Sequence, residues 1–434
     1  MEKIAFGPFC LDDTGTRLWR DGAELELRPQ ALQALRALLT SSGRFVDYQQ
    51  MIRQAWEGNL VSRHTVAVTV GEVKKALREY GCWISYRPKL GYRLEVPQSE
   101  DLIRKGWHFW NRQTWEGLEK ALCCFEQAAR NDGADFRAYE GIASCYLKLG
   151  AYGMRPPREM QEGFLGAYHR AVALGGLTPE LRADHALGLH IFERKFAQAE
   201  AELLEAQRGR PQAAKIYVAL IMLYVSEGRL DDALEVMVQT RDTHVLWPTL
   251  PASEALIRLC FRQFDAAVAF GKQAIDLHPF LHLSRVFYAQ ALEHAGQTEE
   301  ALSQYRLAWI VSSGPTWIRA LEARCLVKMR RLEEAWEILR TLQQIRETEY
   351  VDAYHLALLW EALGRRDEAF DELERALKES SATLCFLDVD PKIDSLRSDP
   401  RFPSLRNRVF EGSHAPPPAQ AARTWNAPRV RRSA

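Results

Sequence analysis

Six alanines stand in step along this chain. Ala199, Ala233, Ala267, Ala301, Ala335 and Ala369 are each 34 residues apart. Five residues before them come Arg194, Gly228, Arg262, Gly296, Arg330 and Gly364. Seven residues after them come Ala206, Ala274, Ala308 and Ala376, with Thr240 and Leu342 in the other two periods. A fixed period with a small residue at one phase leaves few folds open. Each period is long enough for two antiparallel helices, and Ala at their crossing lets the backbones approach closely. Such a pair buries its apolar face only by stacking on the next pair. Pro211 and Pro279 close two of the units.

A 34-residue period of this kind resembles the tetratricopeptide repeat. The array starts before Ala199, because Ala121 and Ala128 take the same roles within Trp107–Ala129, and Arg137–Leu149 reads as the next first helix. Between Gly150 and Leu165 the period breaks, and Pro156-Pro157 marks a loop there. Residues 103–410 are thus expected to hold about eight helix pairs, with Leu384–Phe410 as a closing segment over the last apolar face.

The first 97 residues are different. IAF, FCLD, RLWR and ELEL read as short strands, the last two joined by a hairpin turn at Asp21-Gly22. Pro29 opens a helix whose inner stripe is Ala31, Leu32, Leu35, Leu38 and Leu39. Asp47 caps a second helix carrying Met51, Ile52 and Ala55 inward. A third helix follows, with Val66, Val70, Val73 and Leu77 on one side and His64, Val68, Gly71 and Lys75 on the other. Gly81 breaks it. Trp83, Ile84 and Tyr86 read as a strand, Pro88–Gly91 as a turn, and Tyr92–Val96 as the returning strand. Ser62–Val96 holds seven Lys/Arg against three Asp/Glu. A helix with a basic outer face beside a basic hairpin can enter a major groove and touch the neighbouring backbone.

This order of elements resembles the winged-helix DNA-binding domain of OmpR/PhoB-type transcription regulators. The resemblance rests on the leading strands, LRPQALQALRALL, VSRHTVAVTVGEVKKALRE and the LGYRL that ends the hairpin, with Gly91-Tyr92-Arg93 as its most specific part. It implies a fold that is mainly α: an α+β winged-helix domain at 1–97, then an α-solenoid of tetratricopeptide repeats at 103–410. It also implies that His64, Thr65, Val68, Thr69 and Lys75 face the groove. Lys74 and Arg78 would contact phosphate from the helix, and Arg87, Lys89 and Arg93 from the wing. The exposed face departs from the family at Gly71 and Glu72, since Glu72 repels phosphate. Winged helix followed by repeats is similar to HilA-like and CadC-like bacterial regulators, here without a membrane helix between the two parts. No receiver domain precedes the winged helix, so the signal is expected to enter through the repeats.

Charge alone does not point to nucleic acid. Residues 1–97 hold 14 Lys/Arg against 11 Asp/Glu, and residues 98–410 hold 39 against 45. DNA contact must therefore come from local placement. The tail at 411–434, rich in Pro, Ala and Arg, is expected to be disordered. The eight cysteines show no metal-finger spacing and suit a reduced compartment. The longest apolar run, Ile216–Val225, is too short for a membrane span. No enzyme motif is present, and no cofactor or metal is expected. The half-aromatic stretch with Trp107, Phe109, Trp110 and Trp115 reads as repeat core that could also line a ligand groove. The expected function is a cytoplasmic, nucleoid-associated regulator that binds double-stranded DNA. Its repeats would take a protein, a peptide, a small molecule or a second copy of the chain. The alternative is a protein–protein scaffold whose winged helix no longer binds DNA.

Overall fold

In a computed structural model of the chain, residues 3–7, 9–12, 14–20, 23–242 and 250–411 are described. The turn expected at Asp21-Gly22 and the tail beyond Glu411 lie outside the described residues. Two compact units emerge. One comprises residues up to Trp107 together with Cys123–Ala138, and the other comprises His108–Leu122 together with the chain from Tyr139 onward.

The first unit opens with a four-stranded antiparallel meander, β1 (Lys3–Phe6), β2 (Phe9–Asp12), β3 (Leu18–Arg20) and β4 (Ala23–Leu25). Three helices follow: α1 (Pro29–Thr40), α2 (Tyr48–Ala55) and α3 (Arg63–Ala76). Pro29 sits in the first turn of α1, where its missing N–H costs nothing. Asp47 and Gln50 form a reciprocal capping box at the start of α2. A 3-10 turn at Arg78–Trp83 leads to the hairpin β5 (Ile84–Arg87) and β6 (Gly91–Leu94). Trp83 therefore belongs to the turn rather than to the strand. The core is one apolar cluster joining Phe9, Leu11 and Leu18 of the sheet to Leu35, Met51, Val70 and Ile84. The unit also takes in most of α4 (Ser99–Trp110) and the end of α5 (Trp115–Asn131). There Asn131 donates from Nδ2 to the Pro97 carbonyl at 2.9 Å, and Arg130 lies 5.7 Å from the Tyr80 ring.

The second unit stacks helix pairs. After α6 (Phe136–Ala151) and α7 (Pro157–Gly175) come α8 (Pro179–Ile191) and α9 (Phe196–Gly209), then α10 (Ala214–Ser226) and α11 (Leu230–Asp242). The next are α12 (Leu250–Cys260) with α13 (Phe264–Leu277), and α14 (His282–His294) with α15 (Thr298–Val311). The last are α16 (Thr316–Lys328) with α17 (Leu332–Ile345), and α18 (Ala353–Ala362) with α19 (Arg366–Lys378). From α9 onward, the second helices start 34 residues apart, as the alanine spacing predicts. All six in-step alanines are fully buried. The turn residues five positions earlier all take the left-handed region, with φ of 54° at Arg194, 73° at Gly228, 60° at Arg262, 81° at Gly296, 61° at Arg330 and 77° at Gly364. This single left-handed residue reverses the chain between the paired helices.

Two expectations change. The stretch after Gly150 is not mainly a loop. Pro157 sits in the first turn of α7, and the extra residues lengthen that helix. The closing segment also does more than cap the last pair. It forms 3-10 turns at Ala382–Phe386 and Pro391–Leu396 and a final helix α20 (Phe402–Val409). Within the second unit it runs back along the repeats. Arg194 donates to the Ser381 carbonyl at 3.3 Å, and Arg262 donates to the Val389 carbonyl at 2.8 Å and pairs with Asp394 at 2.7 Å. Phe386 meets His190 with centroids 6.3 Å apart, and Phe410 meets Phe196 at 6.0 Å.

Candidate nucleic-acid interface

Helix α3 is fixed from its start. Ser62 caps it, its hydroxyl accepting from the Thr65 backbone N–H at 3.1 Å. Val66, Val70, Val73 and Leu77 are buried, which anchors one face on the core. His64, Thr65, Ala67, Val68, Gly71 and Lys75 are exposed on the other side, and Lys74 is half-buried. Lys74 and Lys75 lie in the last turn, where cations complement the helix dipole.

Thr69, expected to face the groove, does not. It is only 3% exposed and lies on the buried side with Val66 and Val73. Spacings of three residues to Val66 and four to Val73 place it there.

The wing is built on a glycine. Gly91 has a φ of 97°, and a Cβ there would come within 2.0 Å of the Val46 carbonyl oxygen. The close approach lets Val46 join the hairpin: its N–H donates to the Tyr92 carbonyl at 2.7 Å, and the Tyr92 N–H donates back at 3.0 Å. Tyr86 and Tyr92 face each other across the strands, with ring centroids 5.0 Å apart. Arg87 and Arg93 both lie over the Phe45 ring, at 5.5 and 5.0 Å. Lys89 occupies the exposed tip with φ 70°.

These cations are not equally available. Among the described residues, Lys74, Lys75, Arg78, Arg87 and Lys89 have no carboxylate partner. Arg93 is half-buried and pairs with Glu95 at 2.6 Å, so it is more committed than its motif implies. Glu72 is answered from outside α3. The Arg28 Nε donates to its Oε2 at 2.8 Å, and the Arg28 terminal nitrogen pairs with the same oxygen. The side-chain hydrogen bond from Arg28 holds the Glu72 carboxyl below its ordinary range. The acidic departure on this helix is thus locally neutralised.

Two residues of this surface escape sequence reasoning. Arg63 is exposed at the start of α3, its guanidinium 5.2 Å from the Tyr48 ring. Its place between the Ser62 cap and His64 was the available signal. Arg28 lies 44 residues from Glu72 and carried no local signal.

Residues 22–94 match the family model described as "Transcriptional regulatory protein, C terminal". The chain is 26% identical over 98 residues to the transcriptional activator CadC of Escherichia coli K12, covering 22% of this chain and 19% of CadC. It is 32% identical over 85 residues to the transcriptional regulatory protein CutR of Streptomyces coelicolor, covering 19% of this chain and 39% of CutR. The chain therefore spans well under half the length of either relative. Among solved structures it is similar to a human IFIT1 dimer with PPP-AAAA, at TM-score 0.46 and 16% identity over 82% of this chain and 91% of that one. It is also similar to a tetratricopeptide repeat protein of Parabacteroides merdae, at TM-score 0.33 and 10% identity over 72% and 98%. No described helix is long and apolar enough to cross a membrane. Within the N-terminal unit, three helices followed by a hairpin form a winged helix, and residues 22–94 of it are similar to the DNA-binding domain of OmpR/PhoB-type regulators.

Proposed function

We propose that this chain, which joins a regulator-type winged helix to a stack of tetratricopeptide-like helix pairs, is a sequence-specific transcriptional regulator. Helix α3 enters the major groove with His64, Thr65, Val68 and Lys75 towards base edges. Lys74, Arg78, Arg87 and Lys89 contact phosphates, with Arg63 added to their number and Arg93 in a lesser role. The repeats set the activity by binding a ligand or a protein, or by bringing a second copy of the chain alongside. One observation carries this reading. Exposed cations without carboxylate partners among the described residues surround an exposed face of α3, whose only acid is held by Arg28.

The test is a titration of the full chain with promoter-derived and random duplexes between roughly 50 and 200 mM salt. Affinity should fall steeply with salt, because phosphate contacts release counterions. Lys74→Ala with Lys75→Ala should weaken binding and flatten the slope of log affinity on log salt by about one per lost phosphate contact. An unchanged titration would show that the contacts are wrongly assigned. No binding even at low salt would favour the protein–protein scaffold.

A further inference from the structure

The second unit encloses a cavity of about 510 Å³, within the range of small-molecule sites. Its walls are mostly apolar, including Leu187, Val218, Met222, Leu256, Val286 and Phe287. They belong to the inner helices α8, α10, α12 and α14. The closing segment supplies Phe386 and Val389 as a further wall. The space is thus bounded by the chain's own C-terminal region, which favours a small molecule over a polypeptide.

The cations of its wall can be told apart by their partners. Lys215 is paired with Asp184 at 2.5 Å and Lys392 with Asp390 at 2.7 Å, so both charges are answered within the wall. Lys148 differs. Its Nζ donates to the Tyr152 hydroxyl at 3.2 Å and lies 5.6 Å from the Trp110 ring, and it has no carboxylate partner among the described residues. Trp317 is 6% exposed, lines the cavity, and keeps a buried indole N–H with no hydrogen-bond partner among the described residues. A buried donor without a partner is costly, so an acceptor placed there gains the missing bond. Of the two lining histidines, His190 is lowered to about 3 by burial, so its ring is neutral at pH 7, and His355 is held by Asp352 at 2.5 Å. The wall therefore offers, among the described residues, a positive charge without a carboxylate partner beside aromatic rings, and an unpaired indole donor, in a mostly apolar space.

We propose that this cavity binds a small amphipathic carboxylic acid, with its apolar or aromatic body against α8, α10, α12 and α14 and its carboxylate at Lys148. The proposal deepens the suggested control through the repeats by naming a site and a ligand class. It does not require the winged helix to bind DNA.

The test uses the full chain and the fluorescent aromatic anion 1-anilinonaphthalene-8-sulfonate, displaced in turn by decanoate, decanol and decyltrimethylammonium. One saturable site is expected, with decanoate displacing the probe at least about tenfold better than the ammonium compound. Lys148→Met should weaken decanoate about tenfold and leave decanol unchanged. Val218→Trp, which fills the space, should weaken all three, with thermal unfolding used to check that the chain is folded. Should Val218→Trp fail to fold, the contrast between decanoate and decanol in Lys148→Met still decides. The proposal is overturned if no saturable site exists, if acid and ammonium compete equally, or if Lys148→Met changes nothing. Repeating the DNA titration with decanoate separates the two readings. Binding in the cavity with unchanged DNA affinity would uphold the site and overturn ligand control of DNA binding.

Discussion

The cations of the two units are put to opposite uses. In the winged helix, Lys75, Arg78, Arg87 and Lys89 are exposed and have no carboxylate partner among the described residues. In the repeats, arginines fasten helices together. Arg229 holds Glu200 at 2.9 Å and Asp232 at 2.7 Å, Arg346 holds Glu372 at 2.7 Å, and Arg406 holds Asp388 at 2.5 Å. Net charge hides this contrast, since the first 97 residues exceed neutrality by only three. Pairing decides which cations can neutralise phosphate, because a cation already bonded to a carboxylate must give up that bond first.

The sharpest test of this contrast is the most deeply buried pair. Glu293 is almost wholly buried beside Arg324, with Lys328 at 3.0 Å and the Tyr305 hydroxyl donating at 2.9 Å. Burial pushes the Glu293 carboxyl up, but Arg324 and then Lys328 outweigh it and hold it below its ordinary range. Arg324→Met leaves a buried carboxylate short of its main partner, and should destabilise the chain by about 3 kcal/mol in denaturant unfolding. Arg324→Met with Glu293→Met should recover most of that loss, since a buried pair replaced by apolar groups is often near neutral. If the double variant were as unstable as the single one, the pairing would not be what matters there.

A smaller effect separates two arginines in equivalent turns. Arg262 and Arg330 both take a left-handed conformation, which costs a side-chain-bearing residue about 1 kcal/mol relative to glycine. Arg262 offsets that cost through Asp394 and the Val389 carbonyl. Arg330 has no partner among the described residues. Arg330→Gly should therefore stabilise by up to about 1 kcal/mol, while Arg262→Gly should destabilise by about as much. Equal shifts in melting temperature would remove the distinction between a fastening and an idle arginine.

What could be read from the chain follows the same division between local and distant causes. The 34-residue alanine spacing is a steric requirement repeated inside each pair, so it gave the pairs, their turns and their second-helix starts. The winged helix was legible for a similar reason, because Asp47 and the valines of α3 act within a few residues of themselves. Thr69 was misplaced although its spacing from Val66 and Val73 already put it on the inner face. The closing segment's return path was not legible. It depends on contacts such as Arg194 with Ser381, 187 residues apart, which only the stacking of whole repeats brings together. The cavity at Lys148 and Trp317 was hidden for the same reason, since its walls come from several helices and from the far end of the chain. The aromatic stretch around Trp110 hinted at a ligand groove but could not show which cation stayed free.

The smallest predicted effect concerns a place where the winged helix behaves like the repeats. Arg28 spends its charge on Glu72, a carboxylate beside the outer face of α3. Exposed ion pairs contribute little to stability, so Arg28→Ala should barely move the melting temperature. Its effect should appear in DNA binding. Without Arg28, the Glu72 carboxylate faces the phosphates unanswered, and affinity should fall by a few-fold at low salt and less at high salt. Adding Glu72→Gln should restore most of that loss. Were Arg28 instead a direct phosphate contact, the double variant would stay weak and the salt slope would drop by about one. The titration therefore distinguishes a cation that shields helix α3 from one that grips the backbone, and shows whether pairing within the chain tunes the proposed interface as it fastens the stack.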